Sequence, residues 1–262
     1  MSKIRNTMAE LREKKGMALI AFIMAALPEE ELCLDCIKAL EQGGCDLLEL
    51  GVPFSDPLAD GEVIERFHHR GVEKGLNLRT GLDFAGKVKS MTAMPVLLFS
   101  YFNPIFRMGM DKFISECKSA GIDGLIIPDV PLDEMEIFSA YDIEAIPMVA
   151  PSSTDERLAM ADALDPAFVY CVSVKGVTGV RSLPENDIKE YLQRVKGSIR
   201  SPLALGFGIS TPEQVRNFRG HADAIVTGSF LARLIEENEK SPHLIPGIME
   251  KEFVAMKMAA QG

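Results

Sequence analysis

The sequence has no long apolar run and no basic run, and these absences exclude two classes of partner. The longest apolar run, residues 17–27, contains eleven residues, about half of what a membrane-spanning helix requires. Lys and Arg number 28 against 38 Asp and Glu, which gives a net charge of −10. Such a chain has no basic surface to neutralise nucleic-acid phosphates. We therefore expect neither a membrane nor a nucleic acid as partner.

Residues 17–27 follow Lys14 and Lys15 and superficially resemble a secretory signal. However, Glu10 and Glu13 interrupt the basic segment, and no A-x-A-like cleavage site precedes the acidic residues 29–31. A buried first strand is the better interpretation of this run.

Cysteine and histidine are too few and too scattered to predict a metal or redox site. Five cysteines without a framework spacing indicate a reducing compartment, for which we expect the cytoplasm. Cys33 and Cys36 form a C-x-x-C, but no second pair completes a metal site. His68 and His69 are adjacent, so their side chains diverge in a helix or a strand. No metal is implied.

Strand-length apolar runs alternate with helical patterns along the chain. Residues 2–14 predict a short leading helix. The predicted strands are residues 18–24, 46–50, 95–100, 124–128, 145–149, 168–172, 203–207 and 224–227; helical segments include 29–42, 82–90, 112–119, 154–164, 188–195 and 212–218. Strands that are apolar throughout are typical of a parallel sheet covered by helices. We expect a single (β/α)₈ barrel over residues 1–262, with an open doubly wound sheet as the alternative.

The stretch LLELGVPFSDPLADG, residues 47–61, places two carboxylates in different settings. Glu49 lies at the end of an apolar strand, where desolvation would raise its pKa from about 4.3 toward neutrality. Asp60 lies in an irregular loop and is expected to remain ionised. Two acids in such unlike environments are suited to general acid–base catalysis. The structural alternative is that Glu49 forms a salt bridge and Asp60 caps the next helix.

Three glycine-containing turns follow the last three predicted strands, at residues 175–179, 206–210 and 228–229. Glycine lets backbone N–H groups approach a ligand, and a following helix N-terminus adds a partial positive charge. Phosphate sites in these barrels are frequently built after strands seven and eight. Each turn alone is explained by ordinary turn geometry, but together they predict a phosphorylated small molecule as substrate.

The sequence LELGVPFSDPLADG at residues 48–61 resembles the signature of the tryptophan synthase alpha subunit family. The resemblance continues through YFNP at 101–104, PDVP at 128–131, GVTG at 176–179 and GFGIS at 206–210. It implies a TIM barrel with a short N-terminal extra helix that cleaves indole-3-glycerol phosphate to indole and glyceraldehyde 3-phosphate. It also implies no cofactor in this chain and a pyridoxal-phosphate beta subunit as partner, in an alpha2-beta2 tetramer.

The same resemblance implies roles for individual residues. Glu49 would protonate indole C3 and take the proton from the glycerol hydroxyl, and Asp60 would hold the indole N–H and stabilise positive charge on the ring. Tyr170 resembles the active-site tyrosine of the family. The implied substrate-binding residues are Phe22, Ile126, Thr178, Gly179, Phe207, Gly208, Gly228 and Ser229. The implied partner-facing residues are Pro53, Asp56, Pro57, Asn103 and Phe106.

Several alternatives stay open. Phe22, Phe207 and Ile126 could equally serve as barrel-core packing, and Asp56 could be a solvated loop acid. Residues 24–28 lack the usual Gly-Asp-Pro, and residues 174–175 replace an arginine, but neither departure touches Glu49 or Asp60. The competing functions are another phosphate-binding barrel enzyme and an allosteric or indole-channelling subunit with negligible turnover.

Overall fold

The computed structural model describes residues 2–173, 184–206 and 208–261. Within them, the strands in chain order are β1 (Ala18–Met24), β2 (Leu47–Gly51), β3 (Val96–Phe99), β4 (Gly124–Ile126), β5 (Glu144–Ile146), β6 (Met148–Val149), β7 (Val169–Val172), β8 (Leu203–Gly206) and β9 (Ala224–Thr227). They pair in the order β5-β4-β3-β2-β1-β9-β8-β7-β6. Every pair is parallel. The first strand therefore lies beside the last.

Helices fill the connections between these strands. They are α1 (Lys3–Glu13), α2 (Glu30–Gln42), α3 (Glu62–Glu73), α4 (Leu78–Met91), α5 (Phe102–Met108), α6 (Met110–Ser119), α7 (Asp155–Ala163), α8 (Glu185–Ser198), α9 (Pro212–Asn217), α10 (Ser229–Glu237) and α11 (Ile245–Gln261), with short 3₁₀ helices at Leu132–Phe138 and Pro242–Leu244. Every residue of β1 and β2 is buried, as expected for strands covered on both faces. No helix in the described part of the chain is long and apolar enough to cross a membrane.

The strands β5 and β6 are two halves of one barrel strand, separated by Pro147. Proline has no N–H to give to a sheet, but the Pro147 carbonyl accepts a hydrogen bond from the Tyr170 N–H at 2.9 Å. The strand β5 pairs with β4, and β6 pairs with β7. The sheet is thus a nearly closed (β/α)₈ barrel. The predicted barrel is confirmed, and the open doubly wound alternative is excluded.

The leading helix α1 closes the amino-terminal end of the barrel. Ile4 is fully buried, and a Cβ added to Gly124 would lie only 2.7 Å from its Cδ1 atom. Arg5 forms an ion pair with Glu144, with Nε and Oε2 3.0 Å apart. The other Glu144 oxygen accepts the Ala167 N–H at 2.8 Å. The carboxyl ends of the strands are at the opposite end of the barrel.

The segment that departs from the family pattern, residues 24–28, forms the turn after β1. Within it, Ala26 has a φ of 58°, in the left-handed region where a side chain costs roughly 1–2 kcal/mol. This is the turn where the family pattern has glycine, which adopts such a φ without strain.

Candidate active site

Glu49 is buried inside the barrel on β2. The strand register pairs it with Phe22 on β1 and Leu97 on β3, so these three side chains share the inner face of the sheet. Only 1% of Glu49 is exposed, and neither carboxyl oxygen has a hydrogen-bond partner among the described residues. The salt bridge of the structural alternative is therefore absent from the described part of the chain.

Burial is the main reason that Glu49 is a weaker acid than an exposed glutamate. It raises the pKa of this carboxyl to about 8, and the negative charge of Asp60 adds to the rise. Charged groups lose solvation in a low-dielectric interior, which favours the neutral form of an acid. Glu49 therefore holds its proton at neutral pH and gives it up readily, as a general acid and base must.

Asp60 lies at the end of the loop after β2, in contact with two polar side chains. The Tyr101 hydroxyl donates a hydrogen bond to its Oδ2 atom at 2.7 Å and accepts the Ala59 N–H at 3.0 Å. The His68 Nε2 atom lies 3.1 Å from the same oxygen. The helix α3 is instead capped by Gly61. The prediction that Asp60 only caps a helix is therefore wrong.

Tyr170 projects from β7 into the space that holds both acids. Burial raises its pKa well above the ordinary value, and the charges of Glu49 and Asp60 raise it further. Its ring occupies the space beside Gly206 on β8, where an added Cβ would lie 2.6 Å from the tyrosine Cζ atom. Only glycine at this strand position leaves room for the ring. The structure thus brings together the three predicted catalytic side chains.

Two of the predicted glycine turns meet at the amino-terminal end of α10. A Cβ added to Gly208 would lie 3.8 Å from the Ser229 Oγ atom, and one added to Gly228 would lie 3.1 Å from the Phe22 Cβ atom. Gly228 is the N-cap of α10, and the first turn of this helix has no acidic residue. Unpaired N–H groups and the helix dipole make such an end suitable for an anion. The phosphate-binding candidates thus lie beside Phe22, the register neighbour of Glu49.

Aromatic and aliphatic side chains line the barrel next to the acids. The rings of Phe22 and Phe99 meet edge to face with centroids 5.5 Å apart. Ile126 is fully buried and pairs in register with Phe99. Phe22 and Ile126 are therefore both part of the buried core, and Phe22 also lies in register with Glu49. The remaining predicted substrate-binding residues, Thr178, Gly179 and Phe207, and the first glycine turn lie outside the described residues.

The predicted partner-facing residues lie on the loop after β2 and on α5. Asp56, Asn103 and Phe106 are exposed, and the Phe106 side chain is 73% exposed. Pro53 and Pro57 are buried, and Pro53 packs against Gly71 of α3. The neighbouring Leu58, which the sequence did not single out, is 75% exposed. Two large apolar side chains, Leu58 and Phe106, are therefore exposed on these two segments.

Sequence reasoning missed Tyr101 and His68 as neighbours of Asp60. Tyr101 comes shortly after β3, just as the loop that carries Asp60 comes after β2. Its position near a strand end could therefore have predicted that it lies near Asp60. His68 belongs to the buried face of α3, which is formed by Ile64, Phe67, His68 and Gly71. That i, i+3, i+4, i+7 spacing is visible in the sequence and marks a histidine on an apolar helix face.

None of the five cysteines is a candidate for a role in this site. All five are buried and free, and burial raises the pKa of the Cys36 thiol to about 12. Thiols of this kind are unreactive at neutral pH. Within the described residues, no three His, Cys, Asp or Glu side chains form a group that could hold a metal ion.

Comparison with known proteins gives a consistent family assignment. The family model described as tryptophan synthase alpha chain matches residues 8–260. The tryptophan synthase alpha chain of Syntrophomonas wolfei is 65% identical over 256 residues, covering 98% of this chain and 99% of the relative. That of Caldanaerobacter subterraneus is 38% identical, covering 97% of both chains.

Solved structures agree with the sequence comparison. The tryptophan synthase alpha subunit of Legionella pneumophila superposes with a TM-score of 0.90 at 27% identity, covering 99% of this chain and 98% of that one. A ligand-free tryptophan synthase of M. tuberculosis superposes with a TM-score of 0.87 at 27% identity, covering 100% of both chains.

Proposed function

Because the chain belongs to the tryptophan synthase alpha chain family, a family of lyases that cleave indole-3-glycerol phosphate, we propose that Glu49 and Asp60 carry out this cleavage here. Alpha chains of this family carry no cofactor, and pyridoxal phosphate belongs to the beta subunit with which they work. The observation that carries the assignment of residues is a fully buried Glu49 carboxyl without a hydrogen-bond partner among the described residues, whose pKa is raised to about 8 by burial and by the nearby charge of Asp60.

The first step is proton transfer to carbon. Glu49 is protonated at neutral pH and donates its proton to C3 of the indole ring. The ring then carries a positive charge centred on its nitrogen. Asp60 accepts a hydrogen bond from the indole N–H and stabilises this charge, because a fixed anion in a largely dry site interacts strongly with the charge that develops.

The second step breaks the carbon–carbon bond. Glu49, now a carboxylate, takes the proton from the hydroxyl on the glycerol carbon attached to C3. That carbon becomes the aldehyde of glyceraldehyde 3-phosphate, and the electron pair of the broken bond neutralises the indole ring. Glu49 ends protonated as it began, carrying the hydroxyl proton in place of the one it gave to C3, so the cycle needs no external acid or base.

The phosphate-binding candidates at one end of the site and the apolar walls at the other would determine how the substrate is oriented. The phosphate would lie at Gly208, Gly228 and Ser229, where the α10 N–H groups converge, and the indole between the walls that include Phe22 and Ile126. Thr178, Gly179 and Phe207 complete the proposed binding set. Tyr170, which faces both acids, would help to orient the glycerol portion.

Measuring indole release from indole-3-glycerol phosphate tests this proposal. We expect Glu49→Gln, which is nearly isosteric, to abolish release while substrate binding is kept. A matched control is Glu65→Gln, since Glu65 is an exposed acid that pairs with the exposed His69, and it should retain wild-type turnover. Wild-type-like turnover by Glu49→Gln would refute the role of Glu49. The assay is run with and without a beta subunit: no release by the wild type in either case would favour an allosteric or channelling subunit.

For the complex, we propose an alpha2-beta2 tetramer in which the surface formed by Asp56, Leu58, Asn103 and Phe106 contacts the beta subunit. Asp56 and Leu58 lie on the loop that also carries Asp60, which supports this choice. Light scattering coupled to size-exclusion chromatography of the mixed subunits measures the stoichiometry directly, and a mass that corresponds to any other ratio would contradict it.

We also propose that the chain is one cooperative domain, because the pairing of β1 with β9 joins its two ends in one sheet. A single unfolding transition is expected by both near-ultraviolet and far-ultraviolet circular dichroism.

For location we propose the cytoplasm, since five free cysteines suit a reducing compartment. Cell fractionation tests this location.

A further inference from the structure

We propose that His68 is a positioning residue that holds Asp60 in place through a neutral Nε2–H donor. This inference rests on the role of Asp60 proposed above and extends it to a residue outside the reacting groups. Three observations support it: the partner of the His68 Nδ1 atom, the surroundings of its Nε2 atom, and the arrangement of donors on Asp60.

The Nδ1 atom of His68 determines where the ring proton lies. The Phe54 N–H donates a hydrogen bond to Nδ1 at 3.0 Å, so this nitrogen must be an unprotonated acceptor. A neutral imidazole carries one proton, which therefore lies on Nε2. Protonation of Nδ1 as well would place two donors against each other. The backbone of the loop after β2 thus selects the tautomer.

The Nε2–H group has one acceptor available. His68 is 0% exposed, so water cannot satisfy the donor. Its Nε2 atom lies 3.1 Å from the Asp60 Oδ2 atom but lacks a well-aligned hydrogen bond to any group in the described part of the chain. Because an unpaired buried donor is costly, we expect the Asp60 carboxylate to turn and accept this hydrogen bond.

Donors are distributed unequally over the Asp60 carboxylate. Tyr101 donates to Oδ2 at 2.7 Å, the same oxygen that His68 faces, while no donor from the described residues contacts Oδ1. With the His68 donor aligned as well, two hydrogen bonds to one oxygen would fix the plane of the carboxylate. The free Oδ1 atom is then presented to the indole N–H in a fixed direction, which is what a preorganised site requires.

Aromatic packing holds this arrangement rigid. The rings of Phe54 and Tyr101 are stacked with centroids 5.0 Å apart, and the His68 ring meets Tyr101 edge to face at 5.9 Å. Phe54 both packs on Tyr101 and donates to His68. The position of Asp60 therefore depends on the conformation of the loop that also carries Asp56 and Leu58.

Two substitutions test the Nδ1 contact and the Nε2 contact of His68 separately. In His68→Asn the amide oxygen can replace Nδ1 as acceptor for Phe54, but no donor reaches Asp60. In His68→Gln the amide N–H₂ reaches the place of Nε2. We expect His68→Asn to lower kcat for indole-3-glycerol phosphate cleavage by about 10- to 100-fold, with a smaller change in KM. We expect His68→Gln to recover a large part of that loss.

The adjacent His69 provides a matched control. Its side chain is 53% exposed, and His69→Asn should leave kcat unchanged. Urea unfolding of each variant separates instability from a catalytic effect. Equal kcat values for His68→Asn and wild type, or equal losses in His68→Asn and His68→Gln at matched stability, would overturn the proposal.

A double-mutant cycle separates failure of this inference from failure of the proposed function. If His68 acts through Asp60, His68→Asn should cause no further loss of kcat in an Asp60→Asn background. A full additional loss would show that His68 acts elsewhere, whereas wild-type turnover by Asp60→Asn alone would refute the role of Asp60 itself. Nitrogen-15 NMR of the wild-type imidazole gives an independent test at neutral pH: a proton on Nε2 is expected, and a proton on Nδ1 would contradict the proposal.

Discussion

The negative charge of Asp60 contributes, after burial, to the rise of the Glu49 pKa to about 8. The two acids therefore lie close enough to interact electrostatically, although they come from a strand and from a loop eleven residues away in the sequence. The more deeply buried acid keeps its proton, while the other has two polar side chains against one of its oxygens. This inequality suits the pair to the separate acid–base roles proposed for them.

The pH dependence of cleavage should report the Glu49 proton. The reaction starts from protonated Glu49, so kcat/KM should fall as pH rises through about 8. In Asp60→Asn the repulsive charge is gone, and the Glu49 titration should move to lower pH. Carbon-13 NMR of labelled glutamate follows that titration even in variants that turn over slowly. A Glu49 titration that stays in place in Asp60→Asn would contradict the coupling.

The same ionisation should make the stability of the protein pH-dependent. The pKa of Glu49 is raised from 4.5 to about 8 in the folded state, so between these values the folded chain binds the extra proton. The Glu49 contribution to the free energy of unfolding is therefore lost as pH rises through this window, by on the order of 5 kcal/mol in total. Urea unfolding at pH 5 and pH 8 measures this difference in the wild type and in Glu49→Gln.

Glutamine does not titrate, so the loss between pH 5 and pH 8 should be smaller in Glu49→Gln than in the wild type. Equal pH dependence in both proteins would show that Glu49 is ionised already at low pH in the folded state. Glu65→Gln again serves as the control, because it removes an exposed acid.

A methyl group at Gly206 should displace the Tyr170 ring. A Cβ at this position would lie 2.6 Å from the tyrosine Cζ and hydroxyl atoms, and Tyr170 is packed in the barrel and cannot move without cost. We expect Gly206→Ala to lower kcat by about tenfold or more and stability by about 1–3 kcal/mol. Steady-state kinetics and urea unfolding measure the two effects.

Gly197→Ala is the matched control for this substitution. Gly197 lies in α8, where nothing is within 4 Å of an added Cβ, and alanine is favoured over glycine in helices by roughly 0.5–1 kcal/mol. This control should be slightly more stable than the wild type and fully active. Full activity in Gly206→Ala would show that the position of Tyr170 does not matter for cleavage.

Removing the exposed Phe106 ring should weaken binding of the beta subunit. The side chain is 73% exposed and lies in the proposed partner surface, where a large aromatic group contributes most when a partner covers it. Isothermal titration of Phe106→Ala with beta subunit should show an affinity at least about tenfold lower. Met258→Ala removes a side chain that is 70% exposed on α11 and should bind normally. Equal affinities for the two variants would place the interface elsewhere.

Much of the fold was predictable because parallel strands buried on both faces are apolar throughout. The eight predicted strands correspond to the observed ones, apart from the interruption at Pro147, which divides the predicted strand 145–149. The alternation of strands and helices along the sequence did not distinguish a closed barrel from an open sheet, because closure depends on the pairing of β1 with β9. That pairing joins residues about 200 positions apart.

The sequence by itself determined the eight apolar strands, the position of Glu49 at the end of one of them, and the glycine turns that follow the last strands. Only the tertiary structure decided which side chains share the site with Glu49. Tyr170, Tyr101 and His68 come from separate elements, and the strand register and barrel closure bring them to the two acids. The pKa of Glu49 has the same origin, since desolvation depends on every element that surrounds the carboxyl group and no local pattern contains that information.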